Sequence, residues 1–149
     1  MKVLVPVDGS KHSLEALKTA IELVKAKGAE ISVINVVPSI SSGMEDHEIS
    51  PAKRERVTDS MTRYADEVIK KAVELLAAAS VKPAHTRTII SESSVPEALI
   101  DFAEKEKVDL IVMGSRGMST SARFRMGSVA TQVVKYSPCS VYVVKLPAA

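Results

Sequence analysis

The chain is poor in the residues on which several large function classes depend. It has no tryptophan, and aromatic residues make up only 3% of its 149 positions. Surfaces that stack unpaired bases need several exposed rings, so a single-stranded nucleic-acid binder is not expected. A single cysteine, Cys139, cannot form an internal disulfide. It points to a reducing compartment, read here as the cytoplasm. Its apolar neighbours mark it as a small buried residue rather than a nucleophile. No apolar run approaches the roughly 20 residues of a membrane-spanning helix, so no membrane partner is expected. The opening Met1–Asp8 stretch is apolar but too short for a signal peptide. There is no Gly-Lys pair, hence no P-loop, and no G-x-G-x-x-G dinucleotide fingerprint. His12, His47 and His85 are scattered, with no metal-ligand spacing.

What remains is ordinary globular material, 46% hydrophobic and 26% charged. The length suits one domain, 1–149, with a core large enough to need no staples. The net charge of +2 is unevenly spread. Residues 110–149 hold Arg116, Arg123, Arg125, Lys135 and Lys145 and no acid, leaving the first 109 residues net acidic. That asymmetry favours an anionic ligand near the C-terminal part, and is too local for a nucleic-acid track.

The glycines sharpen this expectation. Gly114, Gly117 and Gly127 follow the spacing G-x2-G-x9-G, and Ser128 comes directly after the last. An apolar run, Val108–Met113, precedes them and a helical pattern follows (Val129, Gln132, Val133, Tyr136). A strand, a small-residue loop and a helix start make an anion site for two reasons. Glycines let main-chain N–H groups approach a phosphate, and the helix start adds unpaired donors and partial positive charge. The plainer alternative is a turn with a capping serine and a solvated basic loop.

Read in order, Val3–Val7 is a buried strand ending in the turn Asp8-Gly9-Ser10, with Pro6 near its end because proline cannot donate to a ladder. Ser10 or Ser13 caps a helix over about 11–27, and Gly28 stops it. Glu30–Val37 is a second strand, and 39–50 a polar loop read as mobile, either a lid or an ordinary connection. A long amphipathic helix starts near Pro51. Ala84–Ile90 is a third strand. Ser94 and Glu97 form a capping box for a helix reaching about Lys107. Val108–Met113 and Val141–Val144 complete five strands, with Pro138 ending the last helix. Strict βα alternation predicts an α/β fold: a doubly wound parallel sheet with helices on both faces. Ligands of such sheets sit at the strands' carboxyl ends where the order reverses. If the first and fourth strands are neighbours there, Asp8 and the glycine loop share one crevice.

In these residues the chain resembles the nucleotide-binding branch of the universal stress protein family. The likeness rests on Val5-Pro-Val-Asp8-Gly-Ser10, Asn35-Val-Val37, Val112-Met-Gly-Ser-Arg-Gly117, the glycine spacing and the closing Ser137–Val144. Ser140 stands where that family often has proline. The resemblance implies a five-stranded sheet of order 3-2-1-4-5, of the adenine-nucleotide alpha-hydrolase-like type. It implies ATP or AMP as ligand, with Mg2+ or Mn2+ beside ATP. By position, Pro6, Val7 and Asp8 would line the adenosine end, and the Val36 main chain would face adenine. Met113 and Gly114 would contact base and ribose, and Gly117, Gly127, Ser128 and Val129 would hold the phosphates. Arg116 sits in the loop with its role open. Arg123 and Arg125 either reach a terminal phosphate or are solvated. Asp8 either touches ribose or, through the nucleotide, a metal, or it caps its own turn. The last strand is an apolar edge, Val141, Tyr142, Val143 and Val144, and an unprotected edge invites a second chain. The family dimerises through this strand, so the resemblance implies a homodimer.

The implied function is an adenine-nucleotide-binding stress-response regulator, a dimeric switch acting on an unidentified protein partner. The alternatives are a slow ATPase or phosphotransferase and a nucleotide-free dimeric interaction module. Phosphoryl transfer needs placed cations and a group that orients the nucleophile. The phosphate loop holds no lysine, so at most slow hydrolysis is expected and no catalytic residue is assigned. A phospho-acceptor receiver domain is excluded, because Ser91, Glu92, Ser93 and Ser94 follow the third strand where its aspartate would stand.

Overall fold

A computed structural model of the chain describes residues 1–39, 50–117 and 126–146. The strands are β1 (Lys2–Pro6), β2 (Glu30–Pro38), β3 (His85–Ser91), β4 (Leu110–Gly114) and β5 (Ser140–Val144). The helices are α1 (Lys11–Lys27), α2 (Pro51–Ala78), α3 (Val95–Lys105) and α4 (Ser128–Tyr136). All neighbouring strands are parallel and the sheet order is β3-β2-β1-β4-β5. The expected doubly wound topology is therefore the one observed, with its reversal between β1 and β4.

Strand alternation builds the two cores. Val3 and Val5 of β1, with Ile31, Val33 and Val112, pack against Leu17, Ile21 and Val24 of α1 and Val68, Ala72 and Leu76 of α2. On the opposite face Leu4, Ile34, Ile111 and Met113 meet Leu99, Phe102 and Ala103 of α3 and Ala130 and Val133 of α4. Cys139 is half-buried against this second core rather than fully buried, because it lies at the entry to the edge strand β5.

Three of the helix starts carry serine caps, expected at Ser10 and Ser94 and not foreseen at Ser50. Ser10, Ser50 and Ser94 each accept the N–H three residues on, from Ser13, Lys53 and Glu97. The helix ends hold the main departures from the sequence reading. α3 stops at Lys105 instead of near Lys107, because Lys107 turns left-handed (φ 55°). Its N–H bonds to Glu104 C=O and the Val108 N–H to Ala103 C=O. Val108 is therefore the plug of a helix cap, not the first residue of β4. α2 ends the same way at Ser80 (φ 57°), with Ser80 N–H on Ala77 C=O and Val81 N–H on Leu76 C=O. Neither position has the glycine that the left-handed region favours, whereas α1 ends on Gly28. Replacing Lys107 by glycine is expected to raise unfolding stability by about 0.5–1 kcal/mol. Urea unfolding measures this, and an unchanged midpoint would mean that the lysine pays no penalty there.

Candidate functional site

Pro6 opens the site. Lys2 C=O bonds to Asp109 N–H on the β4 side, and alternation puts Leu4 and Pro6 on that same side. The β1–β4 register runs Val3↔Leu110 and Leu4↔Ile111 and then stops. Pro6 is where the next main-chain donor would be, and proline has none. The two strands part there, at the reversal of strand order, while Val7 N–H still holds β1 to Ile34 C=O (2.9 Å).

A cleft of about 310 Å³ lies at this parting. Pro6, Val7, Asp8, Val36, Met113, Gly114, Arg116, Gly117, Gly127, Ser128 and Val129 all line it. These residues come from the ends of β1, β2 and β4 and from the start of α4. Ser13, Val95, Leu99 and Ala130 also line it and were not singled out from the sequence. A signal for them exists. Every helix of a βα unit starts at the carboxyl edge of the sheet, so first-turn residues of α1, α3 and α4 belong among the candidates. Arg123, Arg125 and residues 40–49 of the expected loop lie outside the described residues.

One end of the cleft is the start of α4. The N-cap of α4 is Gly127, which supplies no side-chain cap. The first amide bonded within the helix is that of Thr131, to Gly127 C=O (3.0 Å). Gly127's own N–H goes to Ser115 C=O (2.7 Å). Among the described residues no main-chain partner takes the amides of Ser128, Val129 and Ala130, and all three residues line the cleft. Ser115 in turn donates its N–H to Val144 C=O (2.9 Å) of the edge strand.

The other end presents main chain. Glu30 N–H bonds to Met1 C=O and Ile34 C=O to Val7 N–H, so even-numbered residues of β2 face β1. Ile31 C=O and Ser39 N–H bond the other way, to Ala84 and Ser91. Val36 therefore turns its N–H and C=O toward the β1 side, beyond the point where β1 ends. Val95 and Leu99 supply apolar wall.

Asp8 stands between the two ends. Its Oδ1 accepts the Ser10 N–H (2.9 Å), which is the turn-capping arrangement. Its Oδ2 faces Gly117, 2.8 Å from where a Cβ there would lie. The carboxylate thus serves the turn with one oxygen and lines the cleft with the other. Among the described residues no three metal-ligating side chains cluster. Any divalent ion here would have Asp8 plus ligand and water oxygens, which is how magnesium is commonly held. No helix of the described residues is long and apolar enough to cross a membrane.

Comparison with known proteins gives these features a lineage. A universal stress protein of Methanocaldococcus jannaschii is 36% identical over 149 residues, covering 98% of this chain and 82% of the relative. The structure of the Archaeoglobus fulgidus universal stress protein in complex with dAMP has a TM-score of 0.71 at 21% identity, over 97% of this chain and 98% of that one. An Arabidopsis thaliana family member with AMP bound has a TM-score of 0.68 at 18% identity, over 99% and 93%. At those identities the two structures speak for the fold. The model of the universal stress protein family matches residues 1–145, and with the M. jannaschii relative it establishes that the chain belongs to the universal stress protein family.

Proposed function

We propose that this protein binds an adenine nucleotide, ATP or AMP, in the β1–β4 cleft and works as a dimeric regulatory switch in the cytoplasm. The observation that carries the proposal is the pairing of two recognition features in one cleft. The Val36 main chain offers a donor and an acceptor at one end, and the Ser128–Ala130 amides an anion cradle at the other. Adenine presents an acceptor at N1 beside a donor at N6, which a strand N–H and C=O can satisfy together. Guanine presents the two in the opposite order. It also brings a 2-amino group toward the apolar wall of Val95 and Leu99, where an unpaired donor is costly. The family members with dAMP and AMP bound are consistent with this choice. Where ATP carries Mg2+, Asp8 Oδ2 is the protein oxygen suited to the ion.

The switch rests on Ser115. Its C=O holds Gly127 at the phosphate end, and its N–H holds Val144 of β5. β5 is an edge strand bearing Val141, Tyr142, Val143 and Val144, with Tyr142 48% exposed. A second copy pairing along that edge would sense the phosphate loop through one residue. Calorimetric titration with ATP and GTP tests the binding, alongside chromatography of nucleotide released on denaturation. ATP is expected to bind in the micromolar range and at least about tenfold tighter than GTP. Sedimentation equilibrium is expected to show a dimer whose dissociation constant changes with ATP. Absence of binding by either nucleotide would leave a dimeric interaction module.

A further inference from the structure

The loop that carries Asp8 is gripped from outside the cleft. Tyr64, in the middle of α2, donates its phenol O–H to Asp8 C=O (3.0 Å). The same hydroxyl lies over Gly9, where a Cβ would overlap it, with Val68 Cγ2 next at 3.1 Å. Gly9 is also left-handed (φ 87°), so two independent constraints keep it glycine. The rest of the Asp8 geometry is local. Its N–H donates to Ser13 Oγ (3.3 Å), its Oδ1 accepts from Ser10 N–H, and Ser13 N–H donates to Ser10 Oγ (3.1 Å). Those bonds tie the Asp8 N–H and carboxylate to Ser10 and Ser13 at the start of α1, and none of them holds the Asp8 C=O. The Tyr64 bond joins it across 56 residues to a helix anchored in the core by Val68, Ala72 and Leu76. Tyr64 does not line the cleft; it lines a separate groove between α1 and α2, on the far side of the turn.

We infer that Tyr64 is a positioning residue for the nucleotide site: it fixes the Asp8–Gly9 peptide, and so the placing of Asp8 Oδ2 toward Gly117 and the ligand. The inference rests on the adenine-nucleotide reading for its effect on binding, but not for its effect on Asp8.

Tyr64→Phe is the test, since it keeps the ring over Gly9 and removes only the hydroxyl. Tyr64 is 47% exposed, so the variant is expected to unfold at the urea midpoint of the wild type. Two readouts are taken. Amide exchange of Ser10, whose N–H is buried on Asp8 Oδ1, is expected to quicken by roughly three- to tenfold. The affinity for ATP with Mg2+ is expected to fall by a similar factor, on the order of three- to tenfold. Unchanged Ser10 exchange overturns the inference whatever the nucleotide does. Faster exchange with unchanged ATP affinity, in a protein whose wild type binds ATP, overturns the link to the ligand. If the wild type binds no ATP, the nucleotide reading falls by itself, and the Ser10 exchange alone decides whether Tyr64 fixes Asp8.

Discussion

Replacing Gly127 by aspartate is expected to abolish nucleotide binding and to leave the fold as stable as before, or more so. The two effects come from the same atoms. Gly127 has φ −61° and ψ 158°, a conformation open to any residue. A Cβ there meets Arg116 Cα at 3.3 Å and Ser115 O at 3.5 Å, which calls for a shift of a few tenths of an ångström. An aspartate N-cap then accepts an amide of the first α4 turn and adds a favourable charge at the helix start. Together these are worth up to about 1 kcal/mol. But the amides it takes are those a phosphate needs, and its charge stands where the phosphate's would. Like charges at contact distance in a partly screened site cost about 4 kcal/mol. A loss of affinity of a hundredfold or more is therefore expected by calorimetry, with an unchanged or raised urea midpoint and an unchanged sedimentation profile without ligand. Gly127→Asn caps without the charge and is expected to fall between. Full affinity in Gly127→Asp would remove the α4 start from the site.

Where chemistry is local, it was legible in the sequence. The glycine spacing marks the loop before α4, Pro6 marks the end of the β1–β4 ladder, and the serines before α1 and α3 mark their starts. Alternation of strands and helices was enough for the layers. The strand order itself came through family resemblance, because periodicity does not say which strands are neighbours. The misplaced end of α3 has a simple physical origin. A left-handed cap was visible at Gly28 but not at Lys107 or Ser80, where residues unsuited to that conformation adopt it. Val108 looks like strand because it is apolar, yet it is apolar because it seals the cap into the second core. Tyr64 carries no such mark: in the sequence it is one more apolar position of a long amphipathic helix. Its contact with Asp8 depends on how α2 crosses the sheet, which no short window of sequence contains.

Gly114→Ala and Gly117→Ala are expected to fail in opposite ways, although both glycines line the cleft. At Gly114 a Cβ would lie 2.7 Å from His12 C and Cβ and 2.9 Å from His12 O. Those atoms are mostly main chain at the first turn of α1, which is fixed by the Ser10 cap and by the packing of Leu17 and Ile21 on the sheet. Neither side can yield without moving α1 off β4. The cost is that of an overpacked core, about 1–3 kcal/mol, or a fall of several degrees in Tm. At Gly117 the atom in the way is Asp8 Oδ2 at 2.8 Å, the free end of a side chain. It can swing aside at little cost to the fold, but the carboxylate then leaves its place in the cleft. Gly117→Ala is therefore expected to keep its urea midpoint within about 0.5 kcal/mol of the wild type. It should lose affinity for ATP with Mg2+ by about tenfold, the scale of one charged contact. Gly114→Ala should lose stability first, and affinity only as far as the cleft is distorted. If Gly114→Ala proves as stable as the wild type, α1 has slack at His12, and Gly114 is a glycine for the ligand's sake after all. If Gly117→Ala keeps its affinity, Asp8 Oδ2 is not a ligand contact, and the turn-capping role through Oδ1 is the whole of what Asp8 does.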